Sequence, residues 1–370
     1  MMHRPSICGF WLAALVAGAG CAHSVPLEQT PLTQDAVDRF LAGGRDARNY
    51  GITTYRDAAG DRFEFANRPH PDQAAQLDFV SPKNARLPIV EVASAITDPF
   101  PMLLDTSARQ SWATLAAVKG LEYRTFAPPT GEYPDHVVAE IPGYAGVGNK
   151  LIFDELHVES PIYYVAPAGG GLGALARIAG QPGLAPDAAA AREKLASRMP
   201  VVCGAAALKG FSWVRFDFPG RSVRFSSSGR AYKPANAAAV AADLPLLDWR
   251  GRPAVAATLG GLPTTLILDT AGDFDLALPA DAPPGEVDGA LVLGALELDD
   301  VRPRFHGELG LPEKFPARLG LGVLSRYAVA LDFKNRRVWF EDPARAAAAA
   351  AESSAENENP EPIHYRGVRP

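Results

Sequence analysis

The fold is decided by two short stretches, Pro101-Met102-Leu103-Leu104-Asp105-Thr106-Ser107-Ala108 and Thr265-Leu266-Ile267-Leu268-Asp269-Thr270-Ala271-Gly272. Each begins as an apolar run with the composition of a buried β-strand, and in each the run ends in Asp-Thr. Two carboxylates that follow equivalent strands in two similar halves would meet if the halves faced each other. The sequence therefore predicts a paired-acid site formed by Asp105 and Asp269.

The segments that follow these stretches repeat one plan. Asp217 and Asp332 each lie eight positions before a closing phenylalanine, Phe225 or Phe340, and the spacing from Gly204 to Leu208 recurs from Gly320 to Leu324. An internal duplication of a strand-rich unit predicts two similar β lobes. The halves differ mainly in length after the Asp-Thr stretch, so the first lobe should carry the larger insertion. Asp217 and Asp332 precede turns, which favours a structural role for both.

Composition supports an all-β fold and excludes some partners. The 370 residues include 34 Gly and 33 Pro, a frequency of turn-forming residues that favours short strands over long helices. The formal net charge of −6 lacks the basic character of a nucleic-acid-binding protein. The seven histidines are scattered without metal-ligand spacing, so no metal and no cofactor is expected.

The N-terminus has the features of an export signal. His3 and Arg4 precede an apolar run from Ile7 to Ala17 that is too short to span a bilayer. The small residues before Cys21 resemble a bacterial lipoprotein signal, which implies a lipid anchor at Cys21 and a place in the cell envelope or periplasm. Ordinary secretory cleavage near Ala19 is the alternative, and would give a secreted protein. Cys203, the remaining internal cysteine, is expected to be a buried core residue without a disulfide.

The sequence predicts six segments. They are a signal peptide (1–20), an N-terminal extension (21–85), a first lobe (86–230), a linker (231–246), a second lobe (247–342) and a disordered tail (343–370). Within the extension, a hairpin is expected around Ala58-Ala59-Gly60-Asp61. In the first lobe, a long hairpin should have its tip in the glycine-rich run from Gly143 to Gly148.

This organisation resembles the aspartic proteases, in particular two retropepsin-like units fused into a bilobed, pepsin-like chain. The resemblance spans about Leu87 to Phe340 and rests on the two Asp-Thr loops, together with Trp112 after the first loop. It also rests on two apolar-apolar-Gly segments expected to pass behind the loops, Val201-Val202-Cys203-Gly204 and Ala317-Arg318-Leu319-Gly320.

The resemblance implies a mechanism and a set of residue roles. Asp105 and Asp269 would share one proton and activate a water for hydrolysis of a peptide bond, without a metal or a covalent intermediate. Thr106 and Thr270 would hold the loops by hydrogen bonds to the opposite backbone, next to Ser107 and Ala271. A flap that closes over a peptide or protein substrate would contain Gly143, Tyr144 and Gly146. The expected protein is a monomeric endopeptidase.

Ser107 and Ala271 are the reason to consider a second function without catalysis. Ser107 and Ala271 stand where the family places glycine, a residue that allows a tight turn and close approach of the backbone. Serine and alanine fit this place only if φ stays negative. The alternative is a catalytically inactive pseudoprotease that binds peptides or acts as an envelope scaffold. No Gly-x-Ser-x-Gly motif supports a serine hydrolase instead.

Overall fold

A computed structural model describes residues 52–57, 60–65, 68–95, 97–109, 111–114, 124–126, 144–148, 150–159, 161–166, 201–282, 289–311 and 315–348. The predicted signal peptide, Cys21 and most of the predicted tail lie outside these ranges. Strands β1 (Ile52–Asp57) and β2 (Gly60–Phe65) pair as an antiparallel hairpin. The hairpin predicted around Gly60 is thereby confirmed.

The first lobe is built on a ten-stranded sheet with the order β3-β11-β10-β5-β6-β13-β7-β12-β9-β8. Its strands are β3 (Arg68–Pro69), β5 (Ile89–Ser94), β6 (Phe100–Asp105), β7 (Trp112–Thr114), β8 (Arg124–Phe126), β9 (Tyr144–Val147), β10 (Lys150–Phe153), β11 (Leu156–Glu159), β12 (Ile162–Ala166) and β13 (Val201–Gly204). Strand β4 (Ala74–Asp78), which precedes β5, belongs to another sheet.

The second lobe repeats this order. Its strands are β17 (Leu247–Trp249), β18 (Arg252–Leu259), β19 (Leu262–Leu268), β20 (Leu276–Leu278), β21 (Leu291–Leu293), β22 (Leu296–Leu298), β23 (Pro303–Phe305) and β24 (Arg318–Leu319). The path β22-β21-β18-β19-β24-β20-β23 matches β11-β10-β5-β6-β13-β7-β12 strand for strand. The duplication seen in the sequence is therefore a duplication of topology.

A third sheet joins the two halves. It contains β14 (Trp213–Asp217) and β15 (Ser222–Ser226) from the first half, and β25 (Ala328–Asp332) and β26 (Arg337–Glu341) from the second. Strands β14 and β25 pair at its centre, and β4 and β16 (Val240–Pro245) form its two edges. The repeat thus also includes one strand from the predicted extension and one from the predicted linker.

The helices among the described residues are short. They include α1 (Ala205–Leu208), α2 (His306–Leu309) and α3 (Leu321–Leu324), and residues 343–348 are also helical. The prediction of a mostly β protein with two similar lobes and few short helices is confirmed. The segment predicted as a tail begins with a helix.

The core forms where apolar faces of the sheets meet. Strands β13 and β24 are buried throughout, and β6 and β19 are buried where they approach the aspartates, so these segments appear in the sequence as continuous apolar runs rather than alternating ones. At the closing hairpins, Asp217 accepts a hydrogen bond from the Gly220 N–H and Asp332 accepts one from the Asn335 N–H, both at 2.9 Å. The turn role predicted for these two aspartates is confirmed.

Candidate active site

The two aspartates end equivalent strands of the two lobes. Asp105 is the last residue of β6, and Asp269 directly follows β19. Strand β13 runs parallel to β6, with Gly204 beside Asp105, and β24 runs parallel to β19 in the same relation. The two apolar-apolar-Gly segments therefore lie beside the loops, as predicted.

The two Asp-Thr loops are joined by a reciprocal set of hydrogen bonds. The Thr106 N–H donates to Thr270 Oγ1 at 3.0 Å, and the Thr270 N–H donates to Thr106 Oγ1 at 3.2 Å. The Thr106 hydroxyl donates to the Leu268 carbonyl, and the Thr270 hydroxyl donates to the Leu104 carbonyl at 2.7 Å. Both threonines are buried. The contacts expected of Thr106 and Thr270 are present, and they bring the two aspartates to one place.

Asp105 lies among hydrogen-bond donors of its own loop. Its Oδ1 accepts from the Ser107 N–H and hydroxyl, both at 2.8 Å, and from the Ala108 N–H at 3.1 Å. Burial, followed by the negative charge of Asp269, raises the pKa of Asp105 to about 6 even though these donors favour the ionised form. The negative charge of Asp269 therefore acts on the Asp105 carboxyl group of the opposite loop.

Asp269 has a different environment. It is buried, its Oδ1 accepts from the Ala271 N–H at 3.1 Å, and its Oδ2 lies 3.3 Å from Nη1 of Arg318. Arg318 is fully buried. From the sequence alone, Arg318 was assigned no role beyond its place in the second apolar-apolar-Gly segment. The available signal was a charged residue in a short run that should be buried.

Ser107 and Ala271 occupy the glycine places without a left-handed backbone. Neither residue is among the non-glycine residues with positive φ. This meets the condition stated for serine and alanine at these positions.

A glycine is needed one residue later, in the second loop only. A Cβ on Gly272 would lie 2.5 Å from the Phe274 ring and 2.9 Å from Asp269 Cγ. The Gly272 carbonyl accepts from the Leu321 N–H at 2.7 Å, and the Ala108 carbonyl accepts from the Ala205 N–H at the same distance. Gly272 is therefore the counterpart of Ala108, and each carbonyl is bound by the first turn of a short helix.

Two buried arginines enclose an aromatic ring behind the loops. Arg318 Cζ lies 4.9 Å from the centre of the Phe315 ring, and Arg252 Cζ lies 5.0 Å from the same centre. Arg252 Nε donates to the Ser107 carbonyl at 2.7 Å, which ties the second lobe to the first loop. Cation–π contacts of desolvated groups are worth about 2 kcal/mol or more. This cluster of Arg252, Phe315 and Arg318 was not predicted.

The candidate flap is placed differently from the prediction. Tyr144 and Gly146 lie in β9, which pairs with β8 on one side and β12 on the other. Residues 144–147 are therefore a strand within the sheet, and the prediction that this run is a hairpin tip was wrong. Gly143 lies outside the described residues, as does Cys21.

Other predicted features can be located more briefly. Cys203 is buried and free of a disulfide, as expected, and burial raises the pKa of its thiol to about 12. Within the described ranges, no group of three or more His, Cys, Asp or Glu side chains could hold a metal ion. In the same part of the chain, no helix combines the length and the apolar character needed to cross a bilayer.

Comparison with solved structures finds distant similarity in fold. The crystal structure of basic 7S globulin from soybean is similar to this chain with a TM-score of 0.43 and 11% sequence identity. The match covers 73% of this chain and 95% of that one. No family model matches the sequence, and no curated protein matches it.

Proposed function

We propose that this protein is an aspartic endopeptidase in which Asp105 and Asp269 activate a water for attack on a peptide carbonyl. One observation carries the proposal. The two Asp-Thr loops are bound to each other through Thr106 and Thr270, so the strand ends that carry Asp105 and Asp269 are held against each other. The negative charge of Asp269 contributes to the raised pKa of Asp105, as expected when two carboxyl groups compete for one proton.

The pair contains the two groups that the reaction needs. The ionised carboxyl removes a proton from the water while the protonated carboxyl donates to the substrate carbonyl oxygen. The resulting tetrahedral intermediate collapses when the leaving amine receives a proton. No nucleophilic side chain is required, so water attacks directly.

The test replaces each aspartate by asparagine. Asp105→Asn and Asp269→Asn should each lower hydrolysis of a peptide library by at least about 10²-fold, since general acid–base catalysis typically contributes 10²–10⁴-fold. Asp154→Asn is the matched control because Asp154 is exposed at a first-lobe turn and has a φ of 55°, which asparagine tolerates. An undiminished rate in either of the first two variants would contradict the proposal.

The second candidate is a pseudoprotease that binds peptides or serves as a scaffold. Ser107 and Ala271 in the glycine places favour it, and so does the pairing of Asp269 with a buried arginine. The same library separates the two functions. Peptides that bind wild-type protein without cleavage from pH 3 to pH 7 would support the pseudoprotease, whereas cleavage that depends on both aspartates would exclude it.

A further inference from the structure

The two lobes differ at one position directly behind the paired aspartates. In the first lobe Val202 lies beside Leu103 in the β13–β6 ladder, and in the second Arg318 lies beside Ile267 in the β24–β19 ladder. Leu103 and Ile267 each precede the aspartate of their loop by two residues. Arg318 is therefore the counterpart of Val202. The duplicated fold requires an apolar residue here, and one lobe has a cation instead.

The side chain of Arg318 is directed at Asp269. Its Nη1 lies 3.3 Å from Asp269 Oδ2, and the two side chains are 0% and 4% exposed. Its Nε and Nη2 have no hydrogen-bond partner among the described residues, and its Cζ packs over Phe315. Burying a guanidinium costs several kcal/mol, which only a close negative charge can offset. Burial lowers the pKa of Arg318, and the negative charge and hydrogen bond of Asp269 oppose that decrease.

Among the described residues, the guanidinium that contacts a carboxylate of the pair belongs to Arg318. Arg252, which also packs on the Phe315 ring, donates to the neutral carbonyl of Ser107. Asp275, directly before β20, accepts from the Arg302 N–H. Asp105 forms no ion pair among the described residues, and its donors are the uncharged groups of Ser107 and Ala108. A negative charge is thus stabilised on Asp269 more than on Asp105.

We propose that Arg318 is a positioning residue that assigns the two chemical roles, holding Asp269 ionised as the base and leaving the shared proton on Asp105 as the acid. The inference rests on the proposed function. It adds which aspartate is the base and which is the acid, since the two loops alone are too similar to decide this. Arg318 acts through Asp269, since it is fully buried beneath that side chain.

The assigned roles give a balanced reaction. Asp269 takes a proton from water as the water oxygen bonds to the peptide carbon, and Asp105 gives its proton to the carbonyl oxygen, which forms a gem-diol. The C–N bond then breaks as protonated Asp269 gives its proton to the leaving nitrogen. Asp105 takes a proton from one hydroxyl of the diol. The products are a carboxylic acid and an amine, and both aspartates return to their starting states.

The raised pKa of Asp105 agrees with this assignment. Burial and the charge of Asp269 raise it to about 6, so Asp105 keeps its proton at pH 4–5, where an ordinary aspartate is largely ionised. The rate of hydrolysis should therefore fall as the pH rises through about 6.

The test follows the two carboxyl groups directly, in the full chain with ¹³C-labelled aspartate carboxyl carbons. The resonance lost in Asp105→Asn should titrate near pH 6 in the wild type, and the resonance lost in Asp269→Asn should stay at its ionised position from pH 4 to pH 7. In Arg318→Met the Asp269 resonance should titrate within this window, and the acid limb of the pH–rate profile should move up by at least about one pH unit, as expected when an opposite charge at this distance is removed.

Two further variants keep the test decisive. Arg318→Lys retains the charge and should restore much of the wild-type titration even if Arg318→Met folds poorly. Arg252→Met removes an equally buried arginine that faces a carbonyl rather than a carboxylate, so it should lower stability without moving the Asp269 resonance.

Failure of the inference can be told from failure of the proposed function. An Asp105 resonance that is ionised at pH 5, or an Asp269 resonance that titrates alike in wild type and Arg318→Met, would overturn the role of Arg318. A wild-type protein that shows the expected titrations but cleaves no peptide would overturn catalysis while supporting the effect of Arg318 on the two protonation states.

Discussion

Asp105 makes the stability of the folded protein depend on pH. Its pKa is about 6 in the folded state, against an ordinary value of 3.8, because burial and the charge of Asp269 disfavour ionisation. The unfolded chain therefore loses this proton more readily. The stabilisation is fully present below about pH 4 and is lost as the pH rises through about 6.

We expect Asp105→Asn to flatten that dependence. Between pH 4 and pH 7 the wild type should lose up to about 3 kcal/mol of unfolding free energy through this group, from a shift of roughly two pKa units. The amide does not titrate, so the variant should lose less over the same range. Urea unfolding at several pH values measures the difference, with Asp154→Asn as the control. Equal slopes for wild type and Asp105→Asn would contradict the raised pKa of Asp105.

The threonines of the loops offer a second prediction. Thr106→Val has nearly the shape of threonine but leaves the Leu268 carbonyl and the Thr270 N–H without their partner. Each unpaired buried group costs about 1–3 kcal/mol, so the variant should be clearly destabilised and should lose hydrolysis. Thr106→Ser keeps the hydroxyl and should retain most of both. Thermal unfolding and peptide cleavage, measured on the same preparations, compare the two variants.

Of the residues in the candidate site, the sequence predicted those that occur in both halves, but it did not predict the role of Arg318, which occurs in one half. Asp105, Asp269 and the two threonines were found because their motif occurs twice. Arg318 could be seen as a departure from the pattern, but its contact with Asp269 depends on two parallel strands that are distant in sequence. Phe315 and Arg252 join it only through tertiary packing.

Among the elements, the short helices after the apolar-apolar-Gly segments fix the loops. The Leu321 and Gly322 N–H groups of α3 donate to the carbonyls of Gly272 and Phe274 at 2.7 and 2.9 Å. Gly320, just before α3, allows this approach. A Cβ there would lie 2.2 Å from the Phe274 carbonyl oxygen and 2.8 Å from the Gly272 carbonyl oxygen.

We therefore expect Gly320→Ala to distort the second loop. Backbone atoms cannot yield as a flexible side chain does, so the loss of stability should exceed the roughly 1–3 kcal/mol typical of overpacking, and hydrolysis should be lost with it. The control is Gly261→Ala, at an open turn with a φ of +81° and no atom near the added Cβ, which should cost only about 1–2 kcal/mol. Urea unfolding compares the two, and equal losses would contradict the close approach of the Phe274 carbonyl.

The wrong prediction of a hairpin tip at residues 143–148 also concerns a secondary-structure element. Glycines in the run from Gly143 to Gly148 were taken to indicate a turn, although Tyr144 and Val147 favour strands. In the structure β9 is held between β8 and β12, and a glycine within a strand often allows close approach of another backbone. Local composition could not show that this segment has a partner on each side.

For the whole molecule, the shared six-stranded sheet predicts a single unfolding unit. The Phe79 ring lies 6.0 Å from Phe218, and the Phe79 N–H donates to the Arg221 carbonyl at 2.8 Å. Phe79→Ala should cost about 3–5 kcal/mol, the usual loss for a buried phenylalanine. Because β14 pairs with β25, the second lobe should be destabilised together with the first.

The measurement is urea unfolding followed by tryptophan fluorescence and by circular dichroism. Both signals should move together to lower urea in Phe79→Ala and hardly move in Val80→Ala, where the side chain is 47% exposed. Two separate transitions, with only one displaced, would show that the lobes unfold independently.

The sequence predicted the two-lobed plan because the duplication is visible in the spacing of Gly, Asp and Phe residues. It did not predict that the repeat includes β4 and β16, since these two edge strands share no motif. Their equivalence follows from pairing alone, with β4 beside β15 and β16 beside β26.

Because β14 pairs with β25, the two halves of the molecule are held together by more than the backbone segment that links them. Five consecutive residues of β14 pair with five of β25, and Arg215 forms an ion pair with Glu341 at 2.9 Å across the same sheet. The backbone that connects the halves passes through exposed residues from Lys233 to Asn236, except for half-buried Pro234. If the backbone were cleaved in that segment, the two fragments should stay associated, because the hydrogen bonds between β14 and β25 would still join them.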